Sequence, residues 1–215
     1  MTMPEPEAPE AESTLDLARR RINVEAAGVQ ALADQVDESF LRVVDLIQNM
    51  TGKVFITGSG TSGIIGRRMA HLLTVCGTPA LYLQPMDALH GGMGVVAKGD
   101  ILIAISRGGE SAEINDLAKR LQEIGVRIVS LTSAPQSELS ELADVSVNLH
   151  NLEDIDPGGV IAMGSTLLVG AWGDALAYVL MVRRGHSWQQ VLHNHPAGAV
   201  GKITEPPPEL SSPTD

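Results

Sequence analysis

Residues 54–69, VFITGSGTSGIIGRRM, and residues 101–114, ILIAISRGGESAEI, share one layout. In each, an apolar and partly β-branched run breaks into a Gly/Ser-rich turn and then opens into a helical pattern, as when a buried parallel strand hands its C-terminal end to a helix. The first N–H groups of a helix have no partner within it and sit at the positive end of its dipole, so two such turns predict one anion site. Ser59, Thr61, Ser62, Ser106 and Ser111 bring hydroxyls to the turns, and Gly58, Gly60, Gly108 and Gly109 permit close backbone approach. Either turn alone is explained as well by caps and tight bends. Paired after two buried strands, they imply a phosphorylated small molecule as ligand.

The pattern around these turns sets the fold class. Short apolar runs at 53–57, 80–83, 100–106, 127–132 and 145–149 read as strands, and helical patterns at 62–75, 111–124 and 137–143 lie between them. Strands that alternate with helices need right-handed crossovers and a parallel sheet covered on both faces, a three-layer α-β-α sandwich. Ahead of the sheet, 14–50 keeps helical spacing without proline and reads as one long helix or two joined near Gly28. Behind it, 158–184 reads as a second long helix, apolar on all sides and rich in Gly and Ala, and therefore central or an oligomer contact.

A chain of 215 residues that is 44% hydrophobic supports one well-buried domain. The net charge of −11 is concentrated at the ends, where residues 1–13 carry four Glu and no base and 203–215 carry Glu205, Glu209 and Asp215. Without those seven charges the body is at −4, with no basic stripe to suggest nucleic acid. Both ends read as disordered acidic tails flanking a single domain over 14–202. No run approaches the roughly 18 uninterrupted apolar residues of a membrane span. The acidic, Pro-rich start is unlike a signal peptide, so the expectation is a cytoplasmic protein. The single cysteine, Cys76, reads as a small buried hydrophobe near a helix end.

With these motifs in place, the chain from about 15 to 202 resembles the sugar isomerase (SIS) domain family. Within it, the chain is similar to the arabinose-5-phosphate isomerase group, through the first Gly-rich turn, ALHGGMGVV at 88–96, ISRGGESAEI at 105–114 and HNHPAGAVGK at 193–202. The resemblance implies a flavodoxin-like five-stranded parallel sheet and an aldose–ketose isomerase acting on a sugar phosphate without cofactor or metal. It further implies a homo-oligomer, dimer or tetramer, with shared active sites. Isomerases of that group often continue into paired regulatory modules, and this chain ends where those would begin, which implies a stand-alone catalytic domain.

Aldose–ketose interconversion needs a phosphate grip, a base that moves a proton between C1 and C2 through a cis-enediol, and an acid/base that opens the ring. Glu110 is one proton-transfer candidate, at a helix mouth where the dipole favours a carboxylate; the plainer alternative is that it stabilises its own helix. The resemblance places a second catalytic carboxylate in NLEDIDPGG: counting back from Gly164 and Ser165 gives Asp154, and a one-residue shift gives Glu153. His90 and His195 match family histidines and are the ring-opening candidates, with His195 implied to reach a neighbouring subunit's site. His71, at a helical apolar position, and His150 and His186, at element ends, read as structural. The His193–His195 pair lacks a third ligand in the sequence and is discounted as a metal site.

Three segments depart from the family pattern. Thr61 stands where a lysine is usual; Arg107 and Gly108 replace Asn and Ser in the second turn; Gly92 stands where an Asp follows His-Gly. Arg107 either supplies the lost cation at the phosphate or is a solvated side chain. These departures leave two alternatives beside the arabinose-5-phosphate type: a 6-phospho-3-hexuloisomerase-like enzyme, and a phosphosugar-binding sensor without catalysis.

Overall fold

The computed structural model describes residues 12–210; all but the last two residues of the expected N-terminal tail, and residues 211–215, lie outside it. Helix α1 (Thr14–Leu32) is followed by a 3-10 turn (Ala33–Gln35) and α2 (Glu38–Asn49). The sheet then alternates with helices as β1 (Val54–Gly58), α3 (Gly60–Val75), β2 (Ala80–Tyr82), α4 (Pro85–Leu89), β3 (Ile101–Ile105), α5 (Ala112–Glu123), β4 (Arg127–Thr132), α6 (Glu138–Leu142) and β5 (Val145–Asn148). Helices α7 (Gly164–Arg183) and α8 (Trp188–Asn194) complete the chain. All strand pairs are parallel, in the order β2-β1-β3-β4-β5, which is the flavodoxin-like arrangement.

The strand pleat sorts the core into two halves. Val54 and Ile56 of β1, Ile101, Ile103 and Ile105 of β3, and Val129 and Leu131 of β4 face α1, α2, α3 and α7. Their alternating neighbours Phe55, Leu102, Ala104 and Ile128 face α4, α5 and α6. β1 and β3 are buried along their whole length, so each of their large side chains contributes roughly 1.5–3 kcal/mol of transfer free energy.

Two helical expectations are corrected. The N-terminal helices join at residues 33–37, not near Gly28, because Asp37 starts a new helix by accepting the Ser39 N–H at 2.8 Å. Gln35 ties that corner to the end of β5 by exchanging hydrogen bonds with the backbone of His150 at 3.1 and 2.8 Å. Gly28 instead lies within α1, where a Cβ would stand 2.3 Å from Ile155 Cδ1. The late helix starts at Gly164 and not at Gly158: Gly158 and Gly159 adopt left-handed φ values of 62° and 69°, and the chain must turn before it can coil. Once formed, α7 is a core helix, with Gly170 against Ile65, Gly173 against Met69, and Trp172 edge-on to Phe40 at 5.5 Å. It is long and apolar enough to cross a membrane, and half of its apolar window is buried within the domain. Cys76 is half-buried at the C-cap of α3.

Of the expected C-terminal tail, residues 203–210 run without helix or strand, and the Trp188 indole N–H donates to Pro208 O at 3.0 Å.

The close approach of α3 to β1 depends on Gly63, where a Cβ would lie 2.6 Å from Tyr82 Oη and 2.7 Å from Gly58 O. Tyr82 Oη donates to Gly58 O at 2.6 Å, so neither neighbour can retreat without breaking that bond. Gly63→Ala is expected to cost about 1–3 kcal/mol by overpacking, read as a lower urea midpoint at unchanged m-value.

Candidate functional site

The strand order reverses between β1 and β3, and in open parallel sheets the crevice at the C-terminal ends of such strands takes the ligand. Helices α3 and α5 start there. Among the described residues, side chains accept from first-turn N–H groups at every other α-helix: Ser13 at α1, Asp37 at α2, Gln84 at α4, Ser187 at α8, Glu110 at α6, and Asp156 at α7. At α3 and α5 the cap residues Ser59 and Ser111 make no such bond. The two helix starts at the switch point thus keep donors for something else, apart from the Glu113 N–H of α5, which its own carboxylate takes.

Around them the hydroxyls are ordered. Ser106 is buried; its Oγ accepts from Gly109 N–H at 3.1 Å and lies 3.2 Å from Ser111 Oγ. Ser59 Oγ donates to Glu113 Oε1 at 2.6 Å, joining the two turns. That hydroxyl, with the Glu113 backbone N–H, holds the Glu113 carboxyl below the ordinary glutamate range. Thr61 is exposed beside them, and Gly60, at φ 58°, has open space where a Cβ would stand. Sequence reasoning does not single out Glu113, because its place in the first turn of α5 looks like ordinary dipole compensation.

A small cleft of about 30 Å³ opens beside the turns, lined by Ser62, Arg107, Thr132, Ser133, Asn151 and Ser165 among others. Arg107 crosses its edge, donating to Gly159 O at 3.0 Å and lying 3.1 Å from Asp156 Oδ2. Asp156 is buried, and its other oxygen accepts from Met163 and Ser165 N–H at 2.9 and 3.0 Å. Burial opposes the charged form of Asp156, but the Ser165 and Met163 hydrogen bonds and the Arg107 charge outweigh it and hold the carboxyl below the usual range. The guanidinium of Arg107 is therefore neither free in solvent nor an uncompensated cation. Sequence reasoning misses Asp156 as well, because it caps a helix that starts eight residues later and no local spacing marks it.

The structure brings Ser59, Ser62, Ser106, Arg107 and Ser111 to the two turns and the cleft, and spreads the other candidates around them. Glu110 Oε1 accepts from Glu138 N–H at 3.0 Å, at the start of α6, beside a separate opening lined by Gln136 and Ser137. Glu153 and Asp154 are exposed on the loop that frames the cleft. Asp154, at φ 60°, is the one described non-glycine residue in the left-handed region. His90 is exposed at the C-cap of α4. His195 is half-buried, edge-on to His71 with ring centroids 6.4 Å apart. His71 is exposed, which corrects its placement at an apolar helical position. It lies nine residues along α3 from Ser62, so His195 is held roughly 14 Å of helix away from this chain's own turns.

A doubly wound α/β domain with two uncapped helix starts at its switch point is a phosphate-binding architecture. The SIS domain model matches residues 47–178, and the chain belongs to the SIS domain family. It is 32% identical to the arabinose 5-phosphate isomerase KdsD of Pseudomonas aeruginosa and 36% identical to the arabinose 5-phosphate isomerase KpsF of Escherichia coli. Each match covers 86% of this chain; the chain spans 57% and 58% of the length of these relatives. A solved structure from E. coli CFT073 in complex with arabinose 5-phosphate superposes with a TM-score of 0.82 at 30% identity, covering 86% of this chain and all of that one.

Proposed function

We propose that this chain is an aldose–ketose isomerase acting on a sugar phosphate of the arabinose 5-phosphate class. The observation that carries the reading is the pair of uncapped helix starts at α3 and α5, set at the switch point of a fold shared with a protein bound to arabinose 5-phosphate. In this scheme the phosphate takes the free N–H groups together with the hydroxyls of Ser59, Thr61, Ser62, Ser106 and Ser111, and Arg107 borders the sugar. Asp154, on the loop framing the cleft, moves the proton between C1 and C2; Glu153 is its alternative. His90 and His195 open the ring, and the position of His195 on His71 calls for a second copy to bring it to the site. The working unit is then a dimer or tetramer, with residues 14–202 as the catalytic domain and the cytoplasm as its place. Proton transfer alone balances this reaction, so no cofactor enters it.

The test is a thermal-shift screen against pentose, hexose and heptose phosphates, followed by NMR detection of isomerisation for each hit, since a ligand of the native state raises apparent stability. Binding with turnover supports the isomerase. Binding without turnover supports the sensor alternative, which is favoured by two features: the turn cation Arg107 is already compensated by Asp156, and Ser59 is engaged by the Glu113 carboxylate.

Two substitutions refine the site. Ser62→Ala is expected to raise KM by about 10- to 100-fold with kcat within threefold, because a hydroxyl donor to a charged phosphate contributes roughly 1.5–3 kcal/mol. An unchanged KM would remove Ser62 from the phosphate grip. Glu110→Gln keeps an acceptor for Glu138 N–H but removes the charge; if Glu110 transfers protons, kcat falls at least about tenfold at constant Tm. Wild-type turnover in Glu110→Gln would reduce Glu110 to a cap of α6.

A further inference from the structure

The loop carrying Asp154 is fastened from a distance. Arg21, on α1, donates through Nη1 to Asp154 O at 2.9 Å and through Nη2 to Ile155 O at 2.6 Å, across more than 130 residues of sequence. Its Nε lies 3.2 Å from Glu25 Oε1, one turn further along α1, so the fork is oriented before it meets the loop. Next to Asp154, the Ile155 side chain is buried in a slot between Gly28 of α1 and Gly164 of α7, and Asp156 caps α7. Three successive residues are thus tied to the scaffold by different means. Asp154 is the one whose own side chain is exposed and whose backbone is in the left-handed conformation.

We propose that Arg21 is a positioning residue for the reaction: by binding two consecutive carbonyls it holds the 154–155 turn in its left-handed form and fixes where the Asp154 carboxylate stands. This rests on the assignment of Asp154 under the proposed function. The chemistry supports it, since a planar guanidinium offers two parallel donors in fixed geometry and a lysine ammonium does not. A left-handed Asp persists where its surroundings over-determine it, and Arg21 and the Ile155 slot are those surroundings. A base displaced by about 1 Å loses on the order of 100-fold in rate, so a clamp on its backbone reads out in kcat.

The experiment compares Arg21→Met, which keeps the length of the stem, and Arg21→Lys, which keeps the charge, in the full chain. Kinetics are measured alone and in an Asp154→Asn background, with amide hydrogen exchange over residues 153–157. The expected result is a fall in kcat of about tenfold or more for Arg21→Met with KM within about twofold, partial recovery in Arg21→Lys, and no further loss when Arg21→Met is added to Asp154→Asn. Exchange over 153–157 rises in Arg21→Met and stays as in the wild type over β1 and β3. Wild-type kcat in Arg21→Met, beside a slow Asp154→Asn, overturns the inference and leaves the proposed function intact. A further loss in the double variant overturns it too, since Arg21 would then act on the fold at large. Wild-type kcat in Asp154→Asn removes the base assignment, and the inference with it; exchange then reports only whether the clamp exists.

Discussion

Asp154→Asn lowers kcat for the sugar phosphate by about 10²- to 10⁴-fold, the range for loss of a positioned general base, while KM and Tm stay near wild type. Little else should change, because Asp154 is exposed and its tie to the scaffold runs through its backbone carbonyl, which Asn retains. Asn also tolerates the left-handed φ of 60°, so the substitution removes charge without removing shape. Glu153→Gln is the matched control, with a change of less than about threefold expected. Steady-state NMR or coupled assays of the two variants decide between neighbouring carboxylates. A slow Glu153→Gln beside a normal Asp154→Asn would move the base by one residue.

Asp156→Ala is expected to produce the largest loss of stability, about 2–4 kcal/mol, combining a lost helix cap with a guanidinium left beside an empty site. For a chain of this size that is a fall in Tm of roughly 5–15 °C. The half-exposed position of Arg107 keeps the figure below that of a fully buried pair. Its pH dependence has a definite sign. The folded-state carboxyl is held below its usual range, so its stabilisation is fully present above the unfolded-state pKa of about 3.9 and is lost as pH falls through the lower folded value. The difference in urea midpoint between wild type and Asp156→Ala should therefore be constant from pH 5 to 7, roughly, and shrink below about pH 4. A difference that persists unchanged at acid pH would mean that shape at this position, and not charge, holds α7.

The sheet is legible in the sequence because its cues are local. Runs such as ILIAI and RIVSLT have strand length, and the residues that follow break the apolar run, a glycine-rich turn after ILIAI and Ser-Ala-Pro after RIVSLT, so the five strands fall within a residue or two of their expected limits. The short helix α8 carries a readable sign too, the Ser187–Gln190 capping box, but the His-rich motif at its end masks the helical pattern, and no helix is expected there. Other features have no local cue. The start of α7 is set by Asp156 from eight residues upstream, and Gly28 is a notch for Ile155, more than a hundred residues away. Candidate site residues on the two turns follow from strand-to-helix geometry. The partners that orient them, Glu113 and Asp156, follow from tertiary proximity, which periodicity does not encode.

The pairing of β1 with β3 bears on how the chain is made. Val54 meets Ile101, so the central seam of the sheet joins segments nearly fifty residues apart, and β2, formed between them, is set aside on the far edge. A nascent chain that has emerged only as far as β2 presents one flank of its most apolar strand with no neighbour. That interval, until residues 101–105 leave the ribosome, is when this protein is most exposed to association with other chains. A synonymous-codon pause placed just before the β3 segment should lower the soluble yield, and the same pause after it should not.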